Sequence, residues 1–234
     1  MQEDIKGRKN GFQTANVVLI SIAHLTHDVY TSFLAPLLPL LIQKLNISLF
    51  LSGLLAVVQR VPSLFNFLVG ILSENLKVRY FVIFAPAVTT VAMSFIGVAP
   101  TYTILVILIF VSGISSTLFH VPSPVMVKKI SGERTGMGMS FYMLGGELAR
   151  TLGPLVVVAA VEQWGLNGTL RLIPFGLIAS FILYLKLHKI SISEEVKTVK
   201  PDYLQIFRRF LPVFLTLAGD VLVVAHQLAD AALG

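Results

Sequence analysis

Six blocks of predominantly apolar residues follow one another along this chain, at about 16–42, 49–72, 80–99, 102–127, 136–161 and 170–187. Each is near the length, roughly 20 residues, that a helix needs to cross the ~30 Å hydrocarbon core of a bilayer. The connections are brief: QKLNIS, SENLKVR, APTYT, KKISGERT and EQWGLNG. Inside lipid the backbone must satisfy its own hydrogen bonds, so blocks of this kind are helices, and short connections make neighbours antiparallel. Composition agrees. Of the 234 residues 55% are hydrophobic and 13% charged, and the mean hydropathy is +0.82; a soluble domain carries roughly 25% charged residues. Folding at this length buries only roughly 70% of the unfolded surface, too little to hide so much hydrocarbon from water. The net charge of +6 is spread among apolar blocks rather than gathered on one face, which argues against nucleic acid as a partner. Cysteine is absent, which excludes disulfides, thiol catalysis and thiolate metal sites.

Lysine and arginine placement orients the chain. With the N-terminus cytosolic, fourteen of the eighteen basic residues fall on the inner side and only Lys44 and Arg171 on the outer, as the positive-inside rule requires. Trp164, Tyr102 and Tyr80 stand at block ends as interfacial anchors. The hydrophilic segment 1–15 reads as a cytosolic tail rather than a signal peptide. Residues 16–190 form the membrane domain, 191–209 a polar cytosolic linker, and 210–234 a partial seventh helix with an atypical tail. The expectation is a multi-pass protein of the plasma (cell inner) membrane.

Charges within such spans are costly and usually functional. Asp28 lies in the first block, Arg60 in the second, and Glu147 and Arg150 in the fifth. At 1.5 Å of rise per residue all four fall roughly 15–20 Å deep, one layer near the midplane whose opposite charges could pair. SIAHLTHDVYT (21–31) sets His24, His27, Asp28 and Thr31 at spacings that share one helix face. Two readings of that face compete: a polar stripe on an aqueous cavity with groups that take up protons, and a buried structural network in which Asp28 fixes Arg60 or Arg150. A metal site needs three or four ligands, and five histidines, two of them at a membrane border or in the tail, supply too few; no metal or cofactor is expected. A Ser115–Ser116–His120 hydrolase lacks the nucleophile elbow, so no enzyme is expected.

The fourth block reads VSGISSTLFHVPSPVMVKK. Its small residues allow close helix approach, and Pro122 and Pro124 free backbone carbonyls just after His120. Pro36 and Pro39 form a similar pair in the first block, a hint of a repeat of three helices against three. The fifth block, GMGMSFYMLGGELARTLGPLVVVAA, carries Gly145, Gly146, Gly153 and Pro154 on a helix that must bend and pack closely. Glu147 and Arg150, at i and i+3, can pair with each other or reach across the bundle. GILSENLKVR, with Gly70, Glu74 and Arg79, is a charged cytosolic turn.

AHLTHDVYTSFLAPLLPLL, SGISSTLFHVPSPVMVKKISGERTG and GGELARTLGP, in that order and spacing, resemble the N-terminal half of a major facilitator superfamily transporter, in particular its fosmidomycin-resistance-type efflux branch. The likeness covers about residues 16–190. It implies an all-α membrane protein: a six-helix half built as a 3+3 inverted repeat, plus a partial seventh helix. It further implies proton-coupled export of a small organic or drug-like solute by alternating access. His24, His27, Asp28, Thr31 and His120 would face the cavity, Gly70, Glu74 and Arg79 would form a cytosolic gate latch, and Pro122, Gly153 and Pro154 would bend helices. The pattern departs in places. His120-Val121-Pro122 replaces a His-Pro step, Glu74 an aspartate and Lys77 a glycine, and the charges at Glu147 and Arg150 are unexpected. A lone half would expose polar groups to lipid, so a second half or a homodimer partner is expected beside solute, protons and lipid. The competing reading is a non-transporting fragment or assembly subunit of the same fold.

Overall fold

The computed structural model describes residues 11–75 and 79–187 and a few positions between 208 and 219. The chain divides into two compact units, Met1–Ile192 and Ser193–Gly234, and the first carries everything below. Most of the expected linker 191–209 and of the partial seventh helix 210–234 lies outside the described residues. Among the described residues every regular element is helical. Four helical stretches are long and apolar enough to cross a membrane: Thr14–Leu45, Leu49–Gly70, Arg79–Val98 and Tyr102–Leu187.

Proline, glycine and capping residues divide these stretches. The first block does not form one helix. It breaks into α1 (Thr14–Thr31) and α2 (Leu34–Leu45). Pro36 has no N–H for the Ser32 carbonyl, and Ser32 turns its hydroxyl onto the Val29 carbonyl at 2.7 Å. Asn46 ends α2 in the left-handed region, φ 51, and Ser48 caps α3 (Leu49–Arg60) by accepting the Leu51 N–H. Together they make a two-sided hinge of cap residues. A 3-10 turn, Val61–Phe65, leads from α3 to α4 (Asn66–Asn75). The helix α5 (Arg79–Phe95) follows.

Thr101 caps α6 (Tyr102–His120), which gives way at Val121 to α7 (Pro122–Ser131). Pro122 and Pro124 leave the Leu118 and His120 carbonyls without helical donors, so the break falls directly behind a histidine. Gly132 (φ 55) and Gly165 (φ 63) interrupt the last stretch, because a left-handed residue cannot continue a right-handed helix. Between them α8 (Thr135–Trp164) runs 30 residues and passes through Pro154 without interruption. A 3-10 segment, Gly165–Leu172, precedes α9 (Ile173–Leu187), so the expected helix at 170 starts three residues later.

The helix α1 lies against α5, α8 and α9. It meets α8 over glycines. A Cβ at Gly145 would strike the Ser21 carbonyl, one at Gly146 would come within 2.6 Å of the His24 ring, and one at Gly153 would collide with Ser32. Two apolar clusters form. One gathers Val17, Ile20, Val82, Phe119, Met126 and Leu187. The other gathers Tyr30, Phe33, Leu37, Met93, Ile109 and Val157. Along α1 the segment 24–28 separates them. Exposed large side chains such as Leu155, Phe175, Phe181 and Ile107 cover the outside with hydrocarbon, a surface suited to lipid.

Candidate functional site: a carboxylate among three imidazoles

Between the two apolar clusters the Asp28 carboxylate is surrounded by imidazoles. His27 Nδ1 lies 2.9 Å and His120 Nε2 3.1 Å from Oδ1. His24 Nε2 lies 3.1 Å from Oδ2. The i, i+4 relation brings His24 over Asp28, as helix geometry requires. Adjacent residues do not normally face each other. His27 nevertheless reaches Asp28 because its ring is held flat on Phe119, with centroids 4.6 Å apart and planes at 7°. His120 arrives from the last turn of α6, edge-on to both other imidazoles at 5.1 and 5.2 Å.

The surroundings hold the rings in place. His24 stacks on Tyr142 of α8 at 4.0 Å, and its Nδ1 meets the Tyr142 carbonyl at 2.8 Å. The Tyr142 hydroxyl and the Ser123 hydroxyl of α7 are 2.6 Å apart. His27 Nε2 meets Thr89 Oγ1 of α5 at 3.1 Å. Thr89 is bonded to Ser115 of α6, and Ser115 to the Ala85 carbonyl. His27 is fully buried, whereas the His120 side chain is 37% exposed and Asp28 14%. The cluster therefore opens to one side through His120.

An ionised carboxylate in an apolar bundle needs donors, and the ring N–H groups of the imidazoles can supply them. Ligand atoms of His24, Asp28 and His120 lie within 4.8 Å of one another, a spacing that would also suit a cation. The tertiary structure thus assembles a donor set that counting histidines along the chain discounted. Direct nitrogen–oxygen contacts near 3 Å are those of hydrogen bonds.

The midplane charge network expected from depth does not form. Arg150 pairs with Glu147 on its own helix at 3.1 Å, both side chains being more than half exposed. Among the described residues no ion pair links Asp28 to Arg60 or Arg150. Equal depth is not equal azimuth: Arg60 is exposed at the end of α3, and Glu147 and Arg150 are exposed on α8 while Gly146 and Ala149 face inward. Thr31 donates to the Asp28 backbone carbonyl, not to its carboxylate. Arg79 opens α5 with its guanidinium 5.2 Å from the Tyr80 ring. Gly70 lies in α4 with open space where a Cβ would stand, and the Glu74 side chain lies outside the described residues. Pro122 is buried at the start of α7. Thr89, Phe119 and Tyr142 complete the site and were not singled out by the sequence, where a Thr-Thr pair inside the apolar third block was the one visible signal.

An all-helical protein with long apolar helices and hydrocarbon on their outer faces belongs to the class of integral membrane proteins. A sequence profile of the Major Facilitator Superfamily matches residues 20–226, and the chain belongs to that family of integral membrane transporters. It is 22% identical over 165 residues to the fosmidomycin resistance protein of Escherichia coli (strain K12), covering 70% of this chain and 41% of that one. It is 20% identical over 174 residues to the uncharacterized MFS-type transporter YfnC of Bacillus subtilis (strain 168), covering 72% and 42%. The chain spans less than half the length of these curated relatives.

Proposed function

We propose that this chain is the N-terminal half of a proton-coupled exporter of a small organic or drug-like solute, with Asp28 as the proton carrier and His24, His27 and His120 as its helpers. The reading includes six spans arranged as two inverted groups of three, a cytosolic N-terminus in the plasma membrane, and alternating access between two halves. The observation that carries it is Asp28 held at 2.9–3.1 Å by three imidazoles, the outermost of which is partly exposed. Proton uptake at such a cluster changes the charge that the bundle must accommodate, and so biases which arrangement of two halves is favoured. Gly70, Glu74 and Arg79 are proposed as the cytosolic latch, and the break at Pro122 and the Gly153-Pro154 step as the points where helices give. Solute, protons and lipid are the partners; neither nucleic acid nor a cofactor enters the scheme.

The name of the Escherichia coli relative suggests a probe. Cells expressing the protein should accumulate less labelled fosmidomycin than cells expressing Asp28→Asn, and dissipating the proton gradient should erase the difference. Equal accumulation with both proteins under a proton gradient would remove Asp28 as the carrier.

The exposed Glu147–Arg150 pair supports a second element of this reading: the face of α8 is covered by a further half or a second copy. Ion pairs are poorly placed in lipid and well placed at an interface between halves. Mass measurement in nanodiscs tests it. A monomer of 25.6 kDa that exports nothing would favour a non-transporting subunit instead.

A further inference from the structure

The two ring nitrogens of His24 have different partners. Nδ1 lies 2.8 Å from the Tyr142 carbonyl, and a carbonyl only accepts, so Nδ1 holds a proton. In the neutral ring Nε2 is then a lone pair, and it points at Asp28 Oδ2 across 3.1 Å. Two electron-rich atoms so placed call for a positive centre between them, which a proton or a metal ion supplies. A ring with one N–H tied to a backbone carbonyl and the other nitrogen free is the arrangement that metal-bound histidines take. The carboxylate is oriented from behind in the same manner. His27 Nδ1 lies 2.9 Å from Oδ1 and can donate to it, with its ring fixed flat on Phe119.

We propose that His24, Asp28 and His120 form a binding site for a divalent ion of the zinc class, reached from the side on which His120 is partly exposed. The ligand atoms are His24 Nε2, a carboxylate oxygen of Asp28 and His120 Nε2, all within 4.8 Å of one another. Each of these nitrogens is 3.1 Å from one carboxylate oxygen. Ligand atoms held roughly 2.0–2.2 Å from a tetrahedral ion stand about 3.4 Å apart, so small rotations of the side chains admit one. Two imidazoles select for zinc and its neighbours, since calcium and magnesium take oxygen ligands. Three protein ligands with a further position open is a set that zinc accepts. The His120 side, 37% exposed, provides both that position and the way in. An ion bound there ties α1 to α6 through residues 92 apart in the chain.

The surroundings suit an ion held from one side. Phe119, Tyr142 and His27, all buried, close the inner side. His27 is not a ligand, because its nitrogens are engaged by Asp28 and by Thr89. Among the described residues no lysine or arginine pairs with Asp28, so no fixed cation already takes the place. The proposal goes beyond the proton-coupling reading and does not depend on it, since binding is read on protein that transports nothing.

The full chain in lipid nanodiscs, stripped with a chelator, tests this with zinc alone and then with cobalt(II), whose absorption reports its ligands. The wild type should take up zinc saturably. His120→Ala should bind it about tenfold more weakly or worse, since even the outer partners of a metal ligand cost about 10–100-fold. The chain has no cysteine, so His120→Cys introduces its one thiol. Loaded with cobalt, His120→Cys should show a thiolate-to-cobalt charge-transfer band that the wild type lacks; it reads the same position should His120→Ala fail to assemble. His188 and His226 lie outside the described residues, and the double variant His188→Ala, His226→Ala should keep the wild-type affinity. No saturable zinc uptake by the wild type, unchanged affinity in His120→Ala, or cobalt-treated His120→Cys without the thiolate band would overturn the proposal. Export that ignores the proton gradient would remove the coupling reading and leave the zinc result standing.

Discussion

At the residue scale the informative contrast is between His27 and His120. Both reach Asp28 Oδ1, but one is sealed behind Phe119 and Thr89 and the other is open. Asp28→Asn should remove the response of export to a proton gradient, while His120→Gln, which keeps a neutral donor near Oδ1, should retain export and weaken that response; labelled-solute efflux at two gradients separates them. His27→Leu should lower stability as well, because Thr89 and Asp28 each lose one hydrogen-bond partner, about 0.5–1.5 kcal/mol per bond. Thermal unfolding in detergent measures it. The triplet His24, His27, Asp28 was legible as a shared face from spacing alone. That His27 would turn back onto its neighbour was not, because a ring's direction is set by what packs on it.

At the scale of elements, α1 and α8 are joined by small residues. Gly145→Leu should push α8 off the Ser21 carbonyl and destabilise the protein by about 1–3 kcal/mol, the usual cost of overpacking. Gly136→Leu, where a Cβ meets open space, should leave the melting temperature nearly unchanged. On the same helix Glu147→Gln or Arg150→Gln alone should destabilise more than the two together, because each single change leaves a charge without its partner; a double-mutant cycle in bicelles reads the coupling. The glycines and prolines announced these features by composition. The break at Ser32 and the unbroken course through Pro154 were decided elsewhere: Ser32 finds a carbonyl for its hydroxyl at the break, and beside Pro154 the α8 backbone at Gly153 lies against Ser32 and the Val29 carbonyl.

For the whole molecule, the distribution of basic residues makes a topological prediction. Reporter fusions after positions 46, 100 and 166 should be active outside the membrane, and those after 77 and 132 inside. Activity of the reporter on the opposite sides would reverse the proposed orientation. Membrane insertion itself follows from the length and polarity of the apolar blocks, which are local properties and need no partner.

That local character separates what the amino-acid order determined from what the fold decided. Helicity, the apolar character of the blocks and the family all follow from residues acting on their neighbours along the chain. Which charges meet does not. Depth placed Asp28 level with Arg60, Glu147 and Arg150, but the side chains leave their helices at different angles, and only packing sets those angles. The tertiary structure brought His120, 92 residues away, to the carboxylate and turned the arginines elsewhere. It also aligned Thr89, Ser115 and the Ala85 carbonyl behind His27, because a buried hydroxyl must find an acceptor where water does not reach.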